Sequence, residues 1–166
     1  MKVPVFDYGA GNLHSLLKAL AGDGKRVEAQ GDPRLAVRTD VLVLPGVGAF
    51  GHAAARMAPG LTDVRAALDD GLPCLGICLG MQLLFDASDE GPGSGIGIFP
   101  GRVRRLEGER VPQIGWNTIE NANDPLFDAA PMTIAYYANS YVCRPDDSSC
   151  VRGWSTHGGT RFPAFV

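Results

Sequence analysis

Leu72-Pro73-Cys74-Leu75-Gly76-Ile77-Cys78-Leu79-Gly80-Met81-Gln82-Leu83-Leu84-Phe85 decides how this chain is read. A short apolar run, Leu72 to Ile77, has the character of a buried strand, and Met81 to Phe85 suits a helix. Between them lies a cysteine set between two glycines. A small-x-nucleophile-x-small pattern at a strand-to-helix junction lets the chain turn sharply, because glycine tolerates close backbone approach, and it leaves the nucleophile atom exposed above the sheet. Cys78 is therefore a candidate nucleophile, and the helix N-terminus that follows is expected to favour its thiolate. Glycine and cysteine are also common at buried strand ends, so the pattern alone leaves a structural cysteine open.

The segment upstream bears on that choice. Asp40-Val41-Leu42-Val43-Leu44 reads as a second buried strand and empties into Pro45-Gly46-Val47-Gly48-Ala49-Phe50-Gly51, a loop with three glycines in seven residues. If the two strands are neighbours in a parallel sheet, both loops emerge at the carboxyl edge, where open α/β sheets place their ligands. The backbone N–H groups of Val47 and Leu79 would then converge on the oxygen of a tetrahedral intermediate. The plainer alternative is an ordinary strand-to-helix turn.

Strands and helices alternate through the first half. Val3 to Tyr8 reads as a strand, Asn12 to Ala21 as a helix with Leu13, Leu16, Leu17 and Leu20 on one face, and Arg26 to Ala29 as a strand. Phe50 to Leu68 carries a helical pattern broken near Pro59-Gly60. This βαβ layout predicts an α/β fold with a mostly parallel sheet flanked by helices. After Phe85 the character changes. Gly91-Pro92-Gly93-Ser94-Gly95 reads as a flexible loop, Ile98 to Leu106 and Val111 to Ile119 as strands joined by a polar turn at Glu107 to Arg110, and Thr133 to Val142 as one tyrosine-rich strand. No repeat and no domain-separating linker is evident, so residues 1–166 are expected to form one domain.

Composition narrows the function classes. A hydrophobic fraction of 45% and a mean hydropathy of +0.02 describe a globular protein whose apolar runs are too short to span a bilayer. The amino terminus runs into a strand without a long apolar signal region, which predicts a cytoplasmic protein. A net charge of −3 argues against electrostatic nucleic-acid binding, and Arg102, Arg104, Arg105 and Arg110 read as a solvated hairpin face. Cys74, Cys78, Cys143 and Cys150 lack CxxC spacing and no histidine cluster accompanies them, so neither a metal nor another cofactor is expected. Cys74 reads as a small core residue; Cys143 and Cys150 read as free thiols flanking a polar turn.

Six motifs occur in order: Asp7-Tyr8-Gly9-Ala10-Gly11-Asn12, Pro45-Gly46-Val47-Gly48-Ala49-Phe50-Gly51, Gly76-Ile77-Cys78-Leu79-Gly80-Met81-Gln82, Gly97-Ile98-Phe99-Pro100-Gly101, Pro112-Gln113-Ile114-Gly115-Trp116-Asn117 and Asn139-Ser140-Tyr141. Together they resemble the glutaminase subunits of imidazole glycerol phosphate synthase, a triad-type branch of the class I glutamine amidotransferases in histidine biosynthesis. The resemblance implies attack of Cys78 on the side-chain amide of L-glutamine, a glutamyl thioester, and transfer of ammonia to a (β/α)8-barrel cyclase subunit that makes imidazole glycerol phosphate and aminoimidazole carboxamide ribotide. By motif it places Val47 and Leu79 in the oxyanion hole, Gly48, Gln82, Ser140 and Tyr141 around the glutamine, and Asn12 and Trp116 against the barrel. The bland readings are an exposed helical Gln82 and core aromatics at Tyr136, Tyr137 and Tyr141.

One part of the family pattern is missing. The family carries its general base in a His-Pro-Glu segment near the C-terminus, whereas this chain has no His-x-Glu and only His14, His52 and His157. Asn139 stands where many family members have His and is given no catalytic role. His157 lies in a polar, turn-like stretch expected to be exposed, and His52 is expected to face solvent. Phe165 and Val166 read as a strand just opening after Pro163. The resemblance then implies an incomplete domain, truncated before a final pair of strands, the triad His and Glu and a closing helix. Two further classes stay open: an inactive fragment that only binds the synthase, and another cysteine hydrolase on a related α/β fold.

Overall fold

The computed structural model describes all residues except Ala10, Asn12, Asp23 and Glu109. Four parallel strands form its base: β1 (Lys2–Phe6), β2 (Arg26–Gln30), β3 (Leu42–Leu44) and β4 (Cys74–Gly76), in the order β2-β1-β3-β4. The alternation of side chains along the strands sorts the core into two layers. Val3, Val5 and Val43 face α1 (Leu13–Leu20), whose Leu13, Leu16, Leu17 and Leu20 cover them. Phe6, Leu42 and Leu44 point the other way into the larger core with Tyr8, Phe50, Met57, Val64 and Leu83.

That larger core is roofed by short helices whose ends follow local chemistry. Asp32 caps α2 (Pro33–Ala36), its carboxylate accepting from the Arg34 amide, with Pro33 at the first helical position. The break expected near Pro59-Gly60 is a single 3-10 turn at Ala58–Gly60 between α3 (Phe50–Met57) and α4 (Leu61–Asp69). After β4 comes α5 (Leu79–Leu83). Phe85 does not continue that helix. The Leu84 carbonyl accepts the Ile98 and Phe99 amides, and Phe85 opens β5 (Phe85–Ser88).

The second half is built from small sheets. β5 pairs in parallel with β6 (Phe99–Arg105), and β6 pairs antiparallel with β9 (Tyr141–Pro145). β7 (Gln113–Thr118) pairs antiparallel with β8 (Ile134–Asn139), in a register that sets Trp116 opposite Tyr136 and Gln113 opposite Asn139. A last hairpin joins β10 (Gly153–His157) to β11 (Thr160–Phe165).

Three expectations are corrected here. The strands on either side of Glu107–Arg110 are not hairpin partners, because both edges of β6 are taken by β5 and β9. The tyrosine-rich run is two strands that break at Ser140 and join different sheets. Phe165 does not open a strand; it is the last residue of β11, pairs with Gly153 and stacks edge-to-face on Phe127.

Candidate active site

The turn after β4 is forced by its neighbours. Ile77 donates its amide to the Leu44 carbonyl at 2.9 Å, which ties the end of β4 to the end of β3. Cys78 follows with φ 47° and ψ −102°, one of only two described non-glycine residues with positive φ. Such a conformation costs about 1–3 kcal/mol and persists only where the surroundings hold it. They do so here through close packing. A Cβ on Gly80 would run into the Leu44 carbonyl, and one on Gly76 would lie 2.9 Å from the Met81 amide nitrogen. Glycine at both positions lets the helix turn back onto the strand, and the Cys78 carbonyl then accepts the Gln82 amide at 3.0 Å.

The two glycine-rich loops meet. A Cβ on Gly46 would sit 2.9 Å from the Ile77 carbonyl oxygen and 3.2 Å from the Cys78 Cβ, so the loop carrying Val47 and Gly48 lies directly against the turn. The amide of Leu79, next along the chain, favours the charged form of the Cys78 sulfur. Gly11, after β1, reaches this loop as well, for a Cβ on it would collide with the Val47 side chain.

Cys78 is the exposed one of the four free cysteines. Its thiol is nevertheless pushed up from the ordinary value. Crowding of the sulfur by the surrounding protein is the main cause; the Leu79 amide pulls the other way, and the Glu90 carboxylate adds to the rise. The thiolate preference expected from the helix N-terminus is thus outweighed by desolvation. α5 is only five residues long, which limits what its dipole supplies.

Glu90 carries no local signal of a role, since it sits in an acidic Asp89-Glu90 pair before the glycine-proline loop, and sequence reasoning missed it. In the fold its Oε2 accepts the Phe50 amide at 2.8 Å, closing the N-terminus of α3 next to the Val47 loop and placing a carboxylate within electrostatic reach of Cys78.

Gln82 is buried rather than exposed, and its Nε2 donates to the Tyr141 carbonyl at 3.5 Å. The Asn139 Nδ2 donates to the same carbonyl at 3.2 Å. Ser140 and Tyr141 are thereby brought to the α5 side of the molecule, with Tyr141 packed beside Met81 and Cys143. Trp116 lies elsewhere. It stands 71% exposed on β7, edge-to-face with Tyr136 at 5.6 Å, in a patch with Ile114 and Ile134. Asn12 falls outside the described residues.

Two of the histidines, His52 and His157, bond main-chain carbonyls. His52 Nε2 lies 2.8 Å from the Tyr8 carbonyl, and His157 Nε2 lies 2.8 Å from the Arg110 carbonyl; a carbonyl only accepts, so each ring nitrogen donates. His157 is half-buried on β10, not in an exposed turn. It borders a cavity of about 270 Å³ with Gln113, Trp116 and Asn117, and Leu61, Arg65, Asp86 and Ile96 border another of about 410 Å³. Cys78 lines neither of these two. Among the described residues no cluster of His, Cys, Asp or Glu could hold a metal ion, and no helix is long and apolar enough to cross a membrane.

A strained cysteine turn at the carboxyl edge of a parallel sheet, abutted by a glycine loop, agrees with what known proteins show. The family model for class-I glutamine amidotransferases matches residues 4–162, which makes the chain an enzyme of that class. It is 47% identical over 171 residues to an imidazole glycerol phosphate synthase subunit HisH of Thermus thermophilus, a match covering 100% of this chain and 83% of that relative. The HisH subunit of Gloeobacter violaceus is 41% identical, over 99% of this chain and 76% of the relative. A crystal structure of a glutamine amidotransferase superposes with a TM-score of 0.68 over 99% of this chain and 89% of that one; at 16% identity it supports the fold alone. The chain belongs to the HisH family of glutaminase subunits of imidazole glycerol phosphate synthase, within the class I glutamine amidotransferases.

Proposed function

We propose that Cys78 takes the acyl group of L-glutamine and that the ammonia released serves a (β/α)8-barrel cyclase subunit in the cytoplasm. The observation that carries this reading is the Cys78 turn, held at φ 47° by Gly76 and Gly80 with Gly46 pressed against it. The thiolate sulfur attacks the carboxamide carbon, the carbonyl electrons move onto oxygen, and the amides of Val47 and Leu79 are the donors assigned to receive that charge. Collapse of the tetrahedral adduct breaks the C–N bond, ammonia leaves with an added proton, and the glutamyl thioester remains. Gly48, Gln82, Ser140 and Tyr141 are the groups proposed to hold the substrate, and the Glu90 carboxylate suits the α-ammonium of an amino acid. Trp116, and Asn12 by family resemblance, are assigned to the barrel interface.

Turnover needs more than the nucleophile. Protonating the departing ammonia and activating water for deacylation both call for a positioned acid–base group. The sequence has no His-x-Glu, and the Nε2 atoms of His52 and His157 are committed to main-chain carbonyls. A second reading follows, in which the 166 residues acylate and bind the barrel but scarcely turn over. Ammonia release by the chain mixed with its barrel subunit separates the two. Negligible release is expected; turnover of about 1 per second or faster, lost in His52→Ala or His157→Ala, would overturn the second reading.

A further inference from the structure

Between β1 and α1 the chain makes a loop that touches the oxyanion segment, and one histidine fixes its start. Tyr8 is 1% exposed and packs edge-to-face on Phe6 at 5.2 Å, so its side chain is anchored in the main core. Its carbonyl points the other way, to His52 Nε2 on the first turn of α3 at 2.8 Å. The next residue is pinned as well: the Gly9 amide donates to Asp7 Oδ1 at 2.7 Å, and Gly9 turns with φ 79°. Two residues on, Gly11, at φ 83°, approaches Val47 so closely that a Cβ would overlap the Val47 side chain. His52 itself lies five residues after Val47, on the helix whose N-terminus Glu90 closes at Phe50.

We propose that His52 is a positioning residue for acylation: by holding the Tyr8 carbonyl it keeps Gly9 and Gly11 in the placement that backs Val47, and so fixes the direction of the Val47 amide. This rests on the reading of Val47 as an oxyanion donor given above. The oxygen charge exists only in the tetrahedral state, so a donor whose direction wanders weakens the transition state more than it weakens substrate binding. A small displacement of such a group is felt strongly in rate. The hydrogen bond from His52 lies on a main-chain carbonyl, and the two contacts that define its effect are the His52–Tyr8 bond and the approach of Gly11 to Val47. Glutamine at position 52 retains an N–H donor on a side chain of similar reach; phenylalanine keeps the bulk and loses the donor.

The test is the rate at which L-glutamine acylates Cys78, read by acid quenching and peptide mass as the glutamyl thioester label, because that step passes through the tetrahedral oxyanion. Limiting rate and half-saturating concentration are measured separately for the native chain, His52→Phe, His52→Ala and His52→Gln, with unfolding midpoints alongside. The limiting rate is expected to fall roughly tenfold in His52→Phe and His52→Ala, less than the ~100-fold that losing an oxyanion donor outright can cost. The half-saturating concentration should stay within about twofold, and His52→Gln should recover most of the rate. Equal or faster labelling in His52→Phe, or loss in His52→Gln as large as in His52→Phe, overturns the proposal while leaving Cys78 as nucleophile. Should His52→Ala fold poorly, the phenylalanine and glutamine pair decides. No labelling of Cys78 in the native chain removes the glutaminase reading and this inference together.

Discussion

The Cys78 turn and the β7–β8 hairpin are built on opposite terms. Around Cys78 almost every atom is spoken for: Gly46, Gly76 and Gly80 allow no added methyl without displacement, and the strained cysteine is the product of that closeness. The hairpin carries Ile114, Trp116, Ile134 and Tyr136 on an open face, Ile114 at 68% and Trp116 at 71% exposure. Burying a large apolar side chain is worth about 1.5–3 kcal/mol, so leaving four of them in water forfeits a sum comparable with a domain's net stability. Close packing is concentrated where charge is proposed to develop, and unsatisfied apolar surface is concentrated where a second subunit is proposed to bind.

The sharpest way to break this contrast is Gly80→Ala. A methyl there meets the Leu44 carbonyl, which is backbone and cannot swing aside, so a loss of about 3 kcal/mol in urea unfolding is expected. An unchanged midpoint would mean that the turn is far looser than its packing implies. On the open side, Trp116→Ala is expected to weaken binding to the barrel subunit by about 2 kcal/mol in titration calorimetry while changing the chain's own stability by only about 0.5 kcal/mol. Unchanged affinity with a stable variant would return Trp116 to an ordinary surface residue.

The smallest effect concerns the seam that joins the two regions. Cys143 on β9 is fully buried in a cluster with Phe85 and Val103, against which Met81 of α5 packs, and burial pushes its thiol up. The unfolded chain loses this proton near an ordinary thiol value of about 8.5, whereas the folded protein keeps it. Stability is therefore fully present below that pH and declines above it by about 1.4 kcal/mol per pH unit for this group. Urea midpoints between about pH 8 and about pH 10 should fall less steeply in Cys143→Ala. Identical slopes would show that Cys143 is not shielded in the native protein.

The first half was largely legible because its signals are local. Apolar runs, the Pro59-Gly60 break and the glycine-flanked Cys78 each act on residues within a turn of themselves, and β1 to β4 follow in parallel order with helices between. In the second half the deciding facts are pairings. Nothing near Ser140 says that Ile134–Asn139 and Tyr141–Pro145 belong to different sheets, since both segments are β-prone and continuous in character. Glu107–Arg110 looked like a hairpin turn because the competition from β5 and β9 for the edges of β6 cannot be seen from the turn. At the site, the position of Cys78 was legible and its electrostatics were not. Desolvation and the carboxylate of Glu90 come from segments folded over it; His52 is exposed, as the sequence suggested, but its bond to the Tyr8 carbonyl spans 44 residues and carries no local signal.

The most direct test is where a glutamine-shaped electrophile goes. After exposure of the folded chain to 6-diazo-5-oxo-L-norleucine, peptide mapping by mass spectrometry should place the adduct on Cys78, leave Cys74, Cys143 and Cys150 unmodified, and show protection by L-glutamine. Labelling confined to Cys150, or labelling of Cys78 that glutamine does not slow, would contradict the assignment of this turn as the site of acyl transfer.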